Sequence, residues 1–213
     1  MSKTRDIFVE FLKKKFNGEE LNQITQKFDV YFSQLVEINS KINLFSRQTN
    51  IDDLWTIHFL DSLLILDVID LGNKTICDFG TGGGLPGIPL AIIYPNSEIF
   101  LLDSKQKKLS AIEKMLDEIG IKNCKTIHTR IENIEKKFDN FFDVLTCRSV
   151  KILPEFVNPI RKIMKKNGKI FIYKSIILDD LNLFESKKFY DVGRSEIGKR
   201  IIAEINPDSK YPN

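Results

Sequence analysis

The segment from residue 78 to 87, Asp-Phe-Gly-Thr-Gly-Gly-Gly-Leu-Pro-Gly, has the composition and spacing of a ligand-binding turn. It begins at the end of a short apolar run, 75–79, and leads into a stretch with helical spacing. Glycines are needed at such a turn because the backbone bends sharply and a ligand must approach the main chain closely. Pro86 suits the first turn of the next helix, where its missing N–H costs nothing.

Two classes of cofactor use a loop of this kind. Residues 82–87 satisfy the dinucleotide pattern Gly-x-Gly-x-x-Gly, and Asp103 follows at about the expected distance. The methyltransferase pattern, acid-x-Gly-x-Gly-x-Gly, is matched without a gap from Asp78 to Gly84. Asp78 is a predicted cofactor-binding residue, because an acid at this position suits a sulfonium cation and the amino group of methionine. We also expect no substrate domain of the kind that a dehydrogenase has. The loop therefore favours S-adenosylmethionine, with NAD as the alternative.

Asp103 lies at the tip of the second apolar run, 98–102. A carboxylate there can accept hydrogen bonds from both ribose hydroxyls of an adenosine group. The alternative is an N-cap, with Asp103 or Ser104 capping the helix that starts near Lys105. The position at the binding edge of a sheet favours the ribose, although one carboxylate can do both.

Strand-length apolar runs alternate with helical stretches along most of the chain. The predicted strands cover 75–79, 98–102, 125–129, 142–147 and 168–174, and the predicted helices cover 87–94, 105–119 and 151–166. This order predicts parallel strands joined by crossover helices, a doubly wound α/β sheet. A helix near 177–187 and strands near 188–194 and 200–206 complete a Rossmann-like methyltransferase sheet that is seven-stranded and mostly parallel.

The first 70 residues have a different pattern, with apolar positions at helical spacing in 5–17 and 19–39. Asp52 and Asp53 can cap a third helix that runs through Leu66. We therefore predict two regions. These are an N-terminal helical extension packed on the sheet (1–70) and a Rossmann-like domain (71–213).

Composition excludes several classes of protein. No run of about 18 apolar residues exists, and the first residues lack the apolar centre and cleavage site of a signal peptide. The three cysteines form no Cys-x-x-Cys pair and the chain has two histidines, so neither a disulfide framework nor a metal site is expected. We expect a cytoplasmic protein that does not enter a membrane, and we interpret Cys147 as a packed thiol.

Basic residues are concentrated in 148–174, where Glu155 is the single acid. Those expected at the carboxyl edge of the sheet are candidates for phosphate contacts: Lys105, Lys107, Lys108, Arg148, Lys151 and Lys174. Those at the far end are expected to form a solvated surface: Arg161, Lys162, Lys165 and Lys166. Arg47 is a further RNA candidate. His58 and Asp61 lie three residues apart on one face of a predicted helix. They either line the entrance to the substrate site, where His58 would contact RNA, or form a hydrogen-bonded pair that fixes the helical region.

These residues resemble a known family, the bacterial 16S rRNA guanine-N7 methyltransferases, also called glucose-inhibited division protein B. The resemblance covers about residues 40–175 and rests on Asn43-Leu44, His58-x-x-Asp61-Ser62, GTGGGLPGIPLAI at 80–92, Leu101-Leu102-Asp103-Ser104, Arg130-x-Glu132, Arg148-Ser149 and Gly168 through Lys174. The run 84–90 is the most specific part. The chain has Lys107-Lys108, Arg148-Ser149 and Lys174-Ser175 where the family usually has Lys-Arg, Arg-Ala and Lys-Gly.

The resemblance implies a set of cofactor-binding residues and a reaction. It places Gly80, Gly82 and Leu85 along the cofactor, Asp103 and Ser104 on the ribose, Ile131 and Glu132 beside the adenine, and Arg148 at the substrate end. The implied reaction transfers the methyl group of S-adenosylmethionine to N7 of a guanosine in 16S rRNA, as such or within the small ribosomal subunit. We expect the protein to be a monomer.

Methylation at N7 requires no general base, because N7 carries an in-plane lone pair, so no catalytic residue is assigned and alignment of the reactants suffices. The target guanine is expected in a loop or flipped out of its stack. The Asn/Asp-Pro-Pro-aromatic motif of amino-group methylation is absent after the fourth strand, where 147–150 reads Cys-Arg-Ser-Val. Another RNA or a small molecule as substrate, or a binding protein without catalysis, are the alternatives.

Overall fold

The structure, a computed structural model, describes residues 2–207. Its strands are β1 (Thr75–Phe79), β2 (Glu98–Asp103), β3 (Cys124–His128), β4 (Phe142–Arg148), β5 (Met164–Lys174), β6 (Lys187–Asp191) and β7 (Ile201–Ile205). They form one seven-stranded sheet in the order β3-β2-β1-β4-β5-β7-β6. Strands β1 to β5 pair in parallel, and β7 is antiparallel to both of its neighbours. The predicted seven-stranded, mostly parallel sheet is confirmed.

The helices are α1 (Lys3–Lys13), α2 (Gly18–Asn39), α3 (Asp61–Leu63), α4 (Gly87–Ile93), α5 (Gln106–Ile119) and α6 (Pro154–Ile163). Helices α4, α5 and α6 are the crossovers that follow β1, β2 and β4. The connection from β3 to β4 contains only short 3₁₀ turns, Ile131–Asn133 and Lys136–Phe138. The loops that follow the parallel strands β1 to β5 therefore all begin at one edge of the sheet.

The third helical segment, residues 51–67, is irregular where a single helix was predicted. It is built from a 3₁₀ turn, a π-helical stretch (Trp55–Leu60), α3 and a second 3₁₀ turn. The carbonyl of His58 accepts hydrogen bonds from Ser62 Oγ at 2.6 Å and from the guanidinium of Arg148 at 3.2 Å. Such competing donors loosen the regular i to i−4 ladder, and π-helical turns are frequent at functional sites.

Two predicted helices are wrong in their extent. Helix α6 starts at Pro154 rather than 151 and ends at Ile163, and Met164 already pairs with Phe142 as part of β5. The predicted helix 177–187 is only a 3₁₀ turn, Asp179–Leu183. In both places buried apolar side chains pack against the sheet, and this tertiary contact overrides a local preference for helix.

A hydrophobic core covers each face of the sheet. On one face, Phe8 and Phe28 of the N-terminal helices belong to the same buried cluster as Ile76 and Ile99 of β1 and β2. On the other face, α6 and the 3₁₀ turns cover the sheet. Burial of one such side chain contributes about 1.5–3 kcal/mol, so the N-terminal helices stabilise the sheet directly. The division into regions 1–70 and 71–213 stays a prediction.

Within residues 2–207, no helix combines the length and the apolar character needed to cross a membrane.

Candidate active site

The glycine loop, residues 80–87, turns at the carboxyl end of β1 and is fixed from two sides. The N–H groups of Gly80 and Thr81 donate to the carbonyl of Leu102 on β2, at 2.9 and 3.1 Å. From the N-terminal helices, the buried hydroxyl of Tyr31 donates to the carbonyl of Gly83 at 2.7 Å. The N-terminal extension therefore positions the loop as well as covering the sheet.

Three glycines in this loop, Gly80, Gly82 and Gly84, have positive φ, and the surroundings of Gly84 and Gly82 differ. Gly84 has φ of +92°, and a Cβ there would lie 2.4 Å from Ile88, so glycine is required for packing. Gly82 has φ of +59°, but the atoms nearest to a Cβ, the carbonyl oxygens of Gly80 and Leu44, are 3.9 Å away. The space beside Gly82 is thus open to a ligand, which is the close approach expected of a cofactor loop.

The Asp78 carboxyl lies beneath the glycine loop and is fully buried. It accepts hydrogen bonds from Thr81 Oγ1 at 2.6 Å, Gly87 N at 2.9 Å and Thr146 Oγ1 at 3.3 Å. Burial raises its pKa to about 6, and the hydrogen bonds oppose this rise. The residue does not line the cleft, in contrast to the predicted direct contact, but above that pH it places a buried negative charge under the loop.

A cleft of about 670 Å³ opens above the loop. Eight of the nine predicted cofactor-binding residues line it, Asp78 being the exception: Gly80, Gly82, Leu85, Asp103, Ser104, Ile131, Glu132 and Arg148. This volume lies in the range of cofactor and ligand sites. The structure thus brings together residues that are far apart in the sequence, and their binding role stays a prediction.

The N-cap of α5 is Lys105, so the alternative of Asp103 or Ser104 as the cap is wrong, and the ribose role of Asp103 stays a prediction. The Oδ2 atom of Asp103 accepts a hydrogen bond from Gly82 N at 3.1 Å, and its Oδ1 accepts one from Lys105 N at 2.9 Å, at the start of α5. A carboxylate has about four acceptor positions, so two remain for ligand hydroxyls. The backbone contacts fix the carboxylate before any ligand arrives.

Sequence reasoning missed one wall of the cleft. Leu44, Phe45 and Ser46 line it, and the side-chain oxygen of buried Asn39 accepts hydrogen bonds from Leu44 N at 2.8 Å and Phe45 N at 3.0 Å. Asn39 sits at the end of α2, where it appears in the sequence as an ordinary helix terminus. The resemblance marked Leu44 without giving it a role.

A second cavity of about 570 Å³ adjoins the first. The two share four wall residues: His58, Arg148, Ser149 and Val150. The rest of the second cavity is lined by Ile57, Asp61, Lys151, Tyr173, Lys174, Ser175, Ile177, Asp179, Asp180 and Arg200. A molecule in the second cavity is therefore separated from the cleft only by the shared residues.

Arg148 forms the centre of the shared wall. Its guanidinium donates to Asp61 Oδ2 at 3.0 Å and approaches His58 Nδ1 at 3.4 Å. The other oxygen of Asp61 accepts a hydrogen bond from Arg200 Nε at 2.7 Å. Both Arg148 and Asp61 have side chains less than 10% exposed, so this arginine is held in a buried ion pair rather than free to meet a phosphate. No sequence pattern links Asp61 to Arg200, 139 residues away.

The other basic candidates fall into different environments. Lys105 lines the first cavity and Lys151 lines the second, and both are exposed. Lys174 lines the second cavity but is held in a buried ion pair with Asp180. Lys108 also lines the cleft, whereas two exposed candidates lie outside both cavities: Lys107 and Arg47.

The environment of Cys147 agrees with a packed thiol. It is fully buried on β4, and burial raises its pKa to about 12, so the nucleophilic thiolate is suppressed. Within residues 2–207, no group of three or more His, Cys, Asp or Glu side chains could hold a metal ion.

Solved structures share this fold. A SAM dependent methyltransferase from Aquifex aeolicus aligns with a TM-score of 0.58 and 14% identity, over 82% of this chain and 98% of that one. A predicted O-methyltransferase of Agrobacterium tumefaciens aligns with a TM-score of 0.55 and 16% identity, over 68% and 79%. The sheet with its glycine loop thus has the Rossmann-like fold that these methyltransferase structures share.

Sequence relatives identify the family within this fold. The family described as rRNA small subunit methyltransferase G matches residues 24–196. Proteins named "Ribosomal RNA small subunit methyltransferase G" are 32% identical in Desulfitobacterium hafniense, over 97% of this chain and 86% of that protein, and 35% identical in Lactobacillus johnsonii, over 96% and 87%. The chain belongs to the rRNA small subunit methyltransferase G family. The resemblance and the prediction of an S-adenosylmethionine-dependent methyltransferase are confirmed.

The buried ion pair of the shared wall gives a first test. Asp61→Asn leaves two guanidinium groups without a carboxylate partner, and we expect the free energy of unfolding to fall by about 3 kcal/mol. Asp67→Asn is the matched control, because Asp67 also bonds two cations, Lys15 and Arg194, but at the surface. We expect it to cost less than about 1 kcal/mol. Urea unfolding measures both, and equal losses would contradict the buried role of Asp61.

The environment of His58 gives a second test. Burial and the adjacent Arg148 lower its pKa from 6.5 to about 3, so the ring is neutral in the folded protein. Its ring signals in NMR spectra should not titrate between about pH 5 and pH 8. The chain has two histidines, so a His128→Gln variant shows which signals belong to His58. Since the folded pKa is the lower one, stability from this site is present above pH 6.5 and is lost as pH falls toward 3. A midpoint near 6.5 would rule this environment out.

Proposed function

We propose that the protein transfers the methyl group of S-adenosylmethionine to N7 of a guanosine in 16S rRNA. The observation that carries this proposal is the pair of adjoining cavities at the carboxyl edge of the sheet. One has the glycine loop and Asp103 as its floor, and the other is large enough for a nucleobase and has Lys151 at its rim. Relatives named ribosomal RNA small subunit methyltransferase G support the choice of RNA.

The residues of the first cavity suit S-adenosylmethionine. The open space at Gly82 admits a ligand against the main chain, and the fixed carboxylate of Asp103 has acceptor positions left for ribose hydroxyls. Ile131 is buried and offers an apolar surface to the adenine, with Glu132 beside it. The proposed cofactor-binding set is completed by Gly80, Leu85 and Ser104. Arg148 belongs to it as well and lies where the first cavity adjoins the second.

Asp78 contributes charge rather than contact. When bound, S-adenosylmethionine supplies a methyl group on a positively charged sulfonium. The Asp78 carboxylate, buried under the glycine loop, stabilises positive charge nearby, because the interior screens such an interaction less than water does. This explains an acid at a position where dinucleotide loops usually have an apolar residue.

The protein's part in the reaction is alignment. N7 of guanine needs no deprotonation, so the chain has to hold the base in line with the methyl group and keep water out. The Arg148–Asp61 ion pair contributes to this alignment, because it fixes the wall shared by the two cavities. Lys105 and Lys151, exposed beside the two cavities, are the proposed contacts to RNA phosphates. The charged groups around the second cavity favour a charged substrate such as RNA.

We propose that the protein acts as a monomer on the small subunit or its RNA in the cytoplasm, where ribosomes are assembled.

Deletion of the gene tests the substrate directly. We expect one N7-methylguanosine to disappear from 16S rRNA, as mapped by chemical cleavage at methylated guanosines. A plasmid copy of the wild-type gene should restore it, and an Asp103→Ala copy should restore it poorly. An unchanged cleavage map would refute the proposed substrate.

Two variants separate the roles of the carboxylates. Asp103→Ala should weaken S-adenosylmethionine and S-adenosylhomocysteine equally, by about 1 kcal/mol or more, because both ligands carry the ribose. Asp78→Asn can keep the hydrogen bonds of the loop but removes the charge. It should weaken the sulfonium ligand about tenfold more than the neutral thioether. Isothermal titration measures all four affinities, and equal losses for the two ligands in Asp78→Asn would exclude the electrostatic role.

A further inference from the structure

Two adjacent isoleucines in the loop after β5 are largely exposed to solvent. Ile176 is 78% exposed and Ile177 is 73% exposed. The next most exposed large apolar side chains of residues 2–207 are Ile51 at 48% and Phe189 at 45%. Single exposed apolar residues need no explanation, but a neighbouring pair this exposed marks a contact surface.

The loop that carries them is anchored on both sides. Before it, Lys174 ends β5 and pairs with Asp180, whose carboxylate also accepts a hydrogen bond from Ile152 N at 2.8 Å. After it, Leu181 is 1% exposed and packs in the core under the sheet. The loop therefore buries other apolar side chains while its two isoleucines project outward from a fixed base.

The position of the pair indicates its partner. Ile177 lines the second cavity, in which the proposed function places the target base. Lys151 lines the same cavity and is exposed, whereas Arg200 there is already paired with Asp61. A polyanion that also presents apolar base faces is complementary to the isoleucine pair with Lys151 beside it, whereas a purely apolar partner would leave Lys151 without a counter-charge.

We propose that Ile176 and Ile177 form an apolar wedge that packs against the bases next to the target nucleotide of the RNA. The inference rests on the proposed function. A base moved out of its stack into the second cavity leaves the faces of its neighbours open to water. Apolar side chains that occupy this gap compensate for the lost stacking, as the wedges of other nucleic-acid-binding proteins do between base steps.

The test compares Ile176→Ser/Ile177→Ser with Ile51→Ser, a matched loss of an exposed isoleucine that lines neither cavity. The RNA substrates are 16S rRNA transcribed in vitro and small subunits from a strain that lacks the enzyme. We expect kcat/KM for RNA to fall on the order of tenfold or more in the double variant. The control should stay within about twofold, and the affinity for S-adenosylmethionine should be unchanged in both.

The salt dependence of RNA binding distinguishes a wedge from a phosphate contact. An apolar contact releases no counterions, so the double variant should bind more weakly with the same slope of log K against log salt. Lys151→Ala should instead reduce the slope by about one unit.

Three results would overturn the wedge. They are activity equal to that of Ile51→Ser, a reduced salt slope in the double variant, or a change confined to self-association of the protein in sedimentation. A wild-type enzyme that methylates no small-subunit RNA would instead refute the proposed function. The two failures are therefore distinguishable.

Discussion

The buried carboxyl of Asp78 is the constraint on which the active edge of the molecule depends. Through one side chain it joins the end of β1, the glycine loop, the first residue of α4 and Thr146 of β4. A polar group of this kind is expensive to bury, and hydrogen bonds from three partners offset the cost. Because these bonds fix the loop, the space beside Gly82 stays open without any ligand.

A second polar junction connects parts of the chain that the sheet alone would leave independent. Asp61 of the irregular helical segment joins Arg148 of β4 to Arg200 in front of β7. Breaking such a buried network is costly, although its formation contributes little net stability. Its effect is therefore on geometry: the wall between the two cavities is defined by ion pairs, while the hydrophobic cores on both faces provide the stability.

The fold and most of the residues that line the first cavity could be predicted from sequence, because local signals specify both. Alternating apolar runs identified the strands, and Asp78 and Asp103 stood at strand ends in a known order. The second cavity could not be predicted in this way. It depends on contacts between distant segments, such as Asp61 with Arg200, for which a single sequence contains no periodicity or spacing. The ends of α6 were also misjudged, because pairing of Met164 with Phe142 decided them.

The reversed direction of β7 has a consequence for the order of folding. Because β7 runs antiparallel to β5, its first residue, Ile201, lies opposite Lys174 at the carboxyl edge, and Arg200 just before it reaches Asp61. The glycine loop and the first five strands are all synthesised earlier. Domains fold as the chain emerges during synthesis. The wall between the two cavities can be completed only after Arg200 has been synthesised, so a product terminated before it keeps the glycine loop and Asp103 but lacks the ion pair between Arg200 and Asp61.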